Sequence, residues 1–100
     1  MYIAMNRFQI TAGREDEFIE MWRKRESHLD KVPGFREFHL LRGSGDDEAT
    51  LFASHVIWES KQDFEGWTKS EEFRKAHAGA RTSMGFMTGP PNFEGFDVVL

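Results

Sequence analysis

Three polar side chains stand where the hydrophobic pattern calls for apolar ones. Asn6 falls in the middle of one face of the stretch YIAMNRFQI, with Tyr2, Ala4, Phe8 and Ile10 beside it and Ile3, Met5, Arg7 and Gln9 on the opposite face. His77 shares a helix face with Phe73, Ala76 and Ala80. Arg25 interrupts the core-facing stripe Phe18, Trp22 and Leu29, spaced i, i+4, i+11. Each has an ordinary reading and a chemical one. A buried amide without partners costs about 1–3 kcal/mol. Asn6 is therefore either bonded by neighbouring backbone or directed into a cavity where a ligand satisfies it. The His77 imidazole is either a hydrogen-bonded core residue or a ligand to something bound. The Arg25 stem either packs while its guanidinium reaches water, or the cation stands at a pocket rim and awaits a carboxylate.

The elements that position these residues follow from spacing and caps. Ser60–Gly79, SKQDFEGWTKSEEFRKAHAG, predicts two short helices in tandem. Ser60 caps the first, with Asp63 three residues on, and Ser70 caps the second, with Glu71 and Glu72 in its first turn. Gly79 suits the position just past the second helix. Phe64 and Trp67, at i and i+3, share one face of the first. Upstream, Tyr2–Ile10 predicts a strand, Thr11–Gly13 a turn, and Arg14 to Leu29 a helix opened by Glu15, Asp16 and Glu17. Pro33-Gly34 ends that helix.

Phe35–Arg42 and Thr50–Glu59 predict two strands joined by the hairpin loop GSGDDEA. Its Gly43-Ser44-Gly45 is no phosphate loop, because it joins strands and opens no helix. Phe38 and Leu40 are expected on one face and Phe35 and Leu41 on the other; Phe52, Val56 and Trp58 oppose Leu51, Ala53 and Ile57. Both faces are apolar, and one helix layer covers only one of them. The second face calls for a partner, most simply an identical subunit. His39 and His55 lie within these strands and read as structural or exposed; His28 reads as exposed.

The segment Ala80–Pro91, ARTSMGFMTGPP, is expected to be irregular yet carries Met84, Phe86 and Met87. It is either a lid over an apolar ligand or a loop packed on its own core. Phe93–Leu100 predicts the last strand. Strand, helix, two strands, helices, strand is the split βαβ, ferredoxin-like order of an α+β protein, in one domain spanning residues 1–100.

Composition narrows the function. With no cysteine, disulfides, thiolate metal sites, c-type haem attachment and cysteine catalysis are excluded, and a reducing cytoplasm is the expected location. A net charge of −4 argues against a general role on nucleic acid or anionic membrane. No basic-then-apolar leader is expected from the opening residues, and no stretch approaches the ~18 apolar residues of a membrane span. Fourteen aromatics, ten of them Phe, must fill a core, line a pocket or cover a partner surface.

Asn6-Arg7, Pro33-Gly34-Phe35, Trp58-Glu59-Ser60-Lys61, Phe64-x-x-Trp67 and Ser70-x-x-Phe73-x-x-Ala76-His77 together resemble the IsdG-type haem-degrading monooxygenases. These form a branch of the antibiotic-biosynthesis-monooxygenase superfamily of dimeric α+β barrels. The likeness covers essentially the whole chain, and DKVPGFREFHLL is similar to the HmuQ/HmuD haem oxygenases of that branch. The resemblance implies that His77 is the axial ligand to haem iron, that Asn6 donates its amide on the distal side, and that Trp67 pushes the porphyrin out of plane. It implies that Arg25 meets a propionate and that Phe73, Met84 and Phe86 line the pocket. Haem is then both cofactor and substrate, consumed with dioxygen to a biliverdin-type bilin with release of iron. An external electron donor, an unidentified reductase, is implied, since the chain carries no flavin or nicotinamide fingerprint. Two other functions fit the same residues less fully. A cofactor-independent monooxygenase of polyaromatic phenols would use Asn6 and Trp67 without needing His77. A non-enzymatic haem-binding or storage protein would bind without turnover.

Overall fold

The sheet is built around β1 (Tyr2–Thr11), which is hydrogen-bonded on both edges. The computed structural model describes residues 1–24, 29–76 and 84–100. After β1 come α1 (Glu15–Lys24), β2 (Phe35–Gly45), β3 (Ala49–Trp58), α2 (Lys61–Thr68), α3 (Glu71–Ala76) and β4 (Asn92–Asp97), with 3-10 turns at Leu29–Lys31 and Met84–Phe86. The strand order is β2-β3-β1-β4, antiparallel throughout. This is the ferredoxin-like α+β arrangement expected from the element order.

Local chemistry sets the helix ends. The Ser60 hydroxyl accepts from the Asp63 backbone N–H at 3.2 Å and donates to the Asp63 carboxylate at 3.0 Å, capping α2. Ser70 does two things: its oxygen accepts from the Phe73 N–H at 3.2 Å, and its hydroxyl donates to the Trp67 carbonyl at 2.6 Å. One serine thus closes α2 and opens α3. At α1, Glu15 accepts from the Gly13 N–H at 2.7 Å and the Thr50 hydroxyl at 2.8 Å. Its own backbone N–H, and then Thr50, hold its carboxyl below the usual range. Gly34 has φ +87°, and an added Cβ would overlap the Asp63 carboxyl, so the turn before β2 can sit directly on the start of α2 only with glycine there.

Among the described residues the core lies on the helix-facing side of the sheet and falls into two clusters. One cluster holds Tyr2, Ala4, Leu29, Val32, Val56 and Trp58, with Phe35, Phe38, Phe64 and Trp67 packed on it. The other holds Phe8, Ile10, Phe18 and Phe52, with Trp22, Leu40, Phe86 and Met87 against it. Trp22 stacks on Phe38 at 5.4 Å and so bridges the two. Each fully buried aromatic or aliphatic side chain contributes about 1.5–3 kcal/mol.

Several expected boundaries move. The β2–β3 hairpin is longer than expected: β2 runs to Gly45, and the reversal needs only three residues, because the Asp46 carboxylate accepts from the Glu48 and Ala49 N–H groups at 2.8 and 2.9 Å. The last strand is shorter, ending at Asp97, with Val99 and Leu100 exposed. The expected face assignment in β2 is also corrected. Phe35 pairs with Trp58 and Phe38 with Val56, with a register shift between Phe35 and Glu37. The extra residue of that bulge, Arg36, reverses the phase. Phe35 therefore joins Phe38 and Leu40 on the helix-facing side, and Leu41 is left on the outer face, 42% exposed.

The outer face carries Ile3, Met5, Ala53 and Ile57, all half-buried, with Phe96 opposite Ile3 and 45% exposed. No element of the described chain covers it.

Candidate functional site

Asn6 lies at the seam of the divided core. It is half-buried on the helix-facing side, between Ala4 of the first cluster and Phe8 of the second. Its register partners are Ser54 on β3 and Phe93 on β4. No hydrogen bond to a described residue engages its side-chain amide. The unbroken alternation of β1 puts the amide here. The same alternation sends Met5 and its partners His55 and His39 to the outer face, where His39 lies 3.4 Å from Glu37.

Phe93, the β4 register partner of Asn6, begins a run of aromatic rings that leads from the amide towards Trp58. Phe93 stacks nearly parallel on Phe64, at 5.5 Å and 6°. Phe64 lies 6.4 Å from Trp67, and Trp67 meets Phe73 edge-on at 4.8 Å and Trp58 at 5.5 Å. Trp67, on α2, and Phe73, on α3, approach each other because the chain breaks between them. The Lys69 N–H bonds back to Gly66, the Ser70 N–H bonds back to Trp67, and the second helix starts on a new axis. The break expected at Ser70 is therefore present, and it brings Trp67 and Phe73 together. On its other side Trp67 lines an open cleft of about 270 Å³ with Lys31, Val32, Pro33 and Gly66.

Phe86 is elsewhere. It packs on the second cluster, 6.5 Å from Phe18, with the Arg14 guanidinium over its ring at 4.6 Å. Arg14 also donates to the Gly85 carbonyl at 3.1 Å, Met87 bridges to Ile10, and the Thr88 N–H bonds to Gln9 at 2.9 Å. Between the two readings of this loop, the described part is packed on its own core. Met84 begins the same 3-10 turn. His77 and Arg25 lie outside the described residues, as does Gly79.

Two residues of the site escaped the sequence reading. Ser54 is 5% exposed on the helix-facing row of β3, between Phe52 and Val56. A polar residue in an apolar alternation is the signal that singled out Asn6, and it was present here too. Phe93 meets Asn6 only through the β1–β4 register, which the sequence does not state. An amide without a partner among the described residues, between Phe8 and Phe93, suits a broad, flat, apolar ligand that presents an acceptor over part of its surface.

The sequence profile of the family Antibiotic biosynthesis monooxygenase matches residues 1–79. A curated relative from Bacillus cereus (strain B4264), named heme-degrading monooxygenase, is 37% identical over 81 residues, which are 78% of this chain and 72% of that protein. Among solved structures, an arginine-to-serine variant of MhuD with two manganese protoporphyrin IX bound per active site has a TM-score of 0.78 and 28% identity, over 100% of this chain and 96% of that one. MhuD from Mycobacterium tuberculosis with two hemes bound has a TM-score of 0.68 at 23% identity, over 100% of this chain and 97% of that one, a likeness that concerns the fold. No helix among the described residues is long and apolar enough to cross a membrane. By the extent of the profile match and the identity to its relative, the chain belongs to the antibiotic biosynthesis monooxygenase family.

Proposed function

We propose that this protein is a haem-degrading monooxygenase, with haem as its substrate. The observation that carries this reading is the unengaged Asn6 amide in an aromatic seam of the core. The relative named heme-degrading monooxygenase and the porphyrin-bound neighbour agree with it. The aromatic wall of Trp67, Phe73 and Phe93 suits the porphyrin plane. Bound haem supplies the iron at which dioxygen is activated, and the chain supplies placement and charge. In this reading His77 is the axial ligand. Asn6 donates from its amide towards charge developing on oxygen. Trp67 presses the porphyrin out of plane, and Arg25 pairs with a propionate. Phe86, held by Phe18 and Arg14, stands apart from the wall of Trp67, Phe73 and Phe93. Electrons come from an external donor, a reductase, and the products are a biliverdin-type bilin and free iron. The working unit is a homodimer with one site per chain.

The test is a haem titration of the colourless protein. A Soret band that saturates at one haem per chain supports the reading, and no band sinks it. Addition of reductant in air should then bleach the band to a bilin spectrum. Haem that stays intact marks a carrier.

A further inference from the structure

Ser54 faces Asn6 directly across the β1–β3 pair, on the helix-facing side, and is 5% exposed. Side chains so opposed have Cβ atoms about 4.5–5.5 Å apart, within reach of a hydrogen bond through a single water. The other sheet neighbours of Asn6 on that face carry no side-chain polar group: Ala4, Phe8, Phe52, Val56, Phe93 and Gly95. Of the residues that adjoin Asn6 on that face, Ser54 alone carries a side-chain hydroxyl; the Tyr2 phenol, farther along β1, lies against Gly95.

An asparagine amide has a carbonyl oxygen at one end and an NH2 group at the other. To act as a donor it must present the NH2, and an amide with no partner presents either end. We propose that Ser54 is a positioning residue. Its hydroxyl donates to Asn6 Oδ1 through one water, and so turns Asn6 Nδ2 away from β3, towards the space where the ligand would lie. This rests on the haem reading above. A serine that merely filled space would leave the amide orientation indifferent to the hydroxyl.

The experiment uses carbon monoxide on the reduced, haem-loaded protein as a probe. A hydrogen-bond donor near the bound gas lowers the C–O stretching frequency, which infrared spectroscopy reads. Wild type, Asn6→Ala, Ser54→Ala, Ser54→Cys and Ser54→Thr are compared, with thermal melts as a folding control. The expected result is a wild-type band below that of Asn6→Ala. Ser54→Ala should move to the Asn6→Ala position or split between the two, and Ser54→Thr should return to wild type. Ser54→Cys keeps the volume and weakens the donor, so it decides the matter should the alanine variant melt early. Bands unchanged in both the Ala and Cys variants overturn the proposal, as does an equal shift in Ala and Thr. The failures are separable: a wild type that binds no haem overturns the functional reading and this inference with it, whereas normal binding with unmoved bands overturns the role of Ser54 alone.

Discussion

Asn6 and His77 should fail in different ways when removed. Asn6→Ala is expected to keep haem affinity and to lose turnover by about 100-fold, the usual effect of deleting one donor to developing charge. His77→Ala should weaken binding and abolish turnover. His39→Ala and His55→Ala should change neither, because both side chains sit on the outer face. Spectral titration beside single-turnover assays separates these outcomes. Trp67→Phe keeps an aromatic ring against Trp58 and Phe73 while removing bulk. The variant should bind haem normally, show weaker out-of-plane bands in resonance Raman spectra, and turn over more slowly. Identical bands would mean that Trp67 only packs. At this scale the sequence was legible wherever one periodicity ran unbroken. Asn6 sits in a strand without bulges, so parity alone placed it on the buried side. Ser54 was equally legible and was overlooked because its neighbours Phe52 and Val56 dominate the row.

Caps and turns govern the elements. Ser60→Ala should lower the unfolding free energy by about 1 kcal/mol by freeing the Asp63 N–H, measured as a shift in urea midpoint with unchanged slope. The reversal between β2 and β3 depends on charge. Asp46 is held below its usual pKa, first by the Ala49 N–H and then by that of Glu48. Glu15 at the head of α1 is lowered likewise. A carboxylate with a depressed native pKa contributes its full stabilisation above its unfolded value and loses it as pH falls through the native one. Melting temperature should therefore hold above the ordinary carboxylate range and fall below it, with a smaller acid-side fall in Asp46→Asn. The caps at Ser60 and Ser70 were legible because they are local. The face of Phe35 was not, because one extra residue at Arg36 puts it in phase with Phe38 and Leu40, and only the pairing with β3 reveals it. The extent of β4 was hidden for a related reason: Val98, Val99 and Leu100 suit a strand, but the register with β1 ends at Asp97.

At the scale of the molecule, the outer face explains why both sides of the strands are apolar. Ile3, Ile57, Leu41 and Phe96 have no covering element among the described residues of their own chain, and a second copy can bury them. Light scattering should give a dimer mass at micromolar concentration, and Phe96→Arg should give a monomer that retains its far-ultraviolet spectrum. A wild-type monomer would contradict this assembly. The divided core has a separate consequence. Among the described residues its two clusters are joined by the sheet and by the Trp22–Phe38 stack, with Asn6 and Ser54 between them. A core arranged in this way is expected to open locally along the line between the clusters, each half loosening with limited resistance from the other. A rigid disc set in the seam would couple the halves, so both would gain protection from amide exchange in step with occupancy. Once cut open, a tetrapyrrole is a hinged chain and no longer spans the gap as a plate. Cleavage itself would then dissolve the coupling that held the ligand, and the two halves would be free to part and let the product leave.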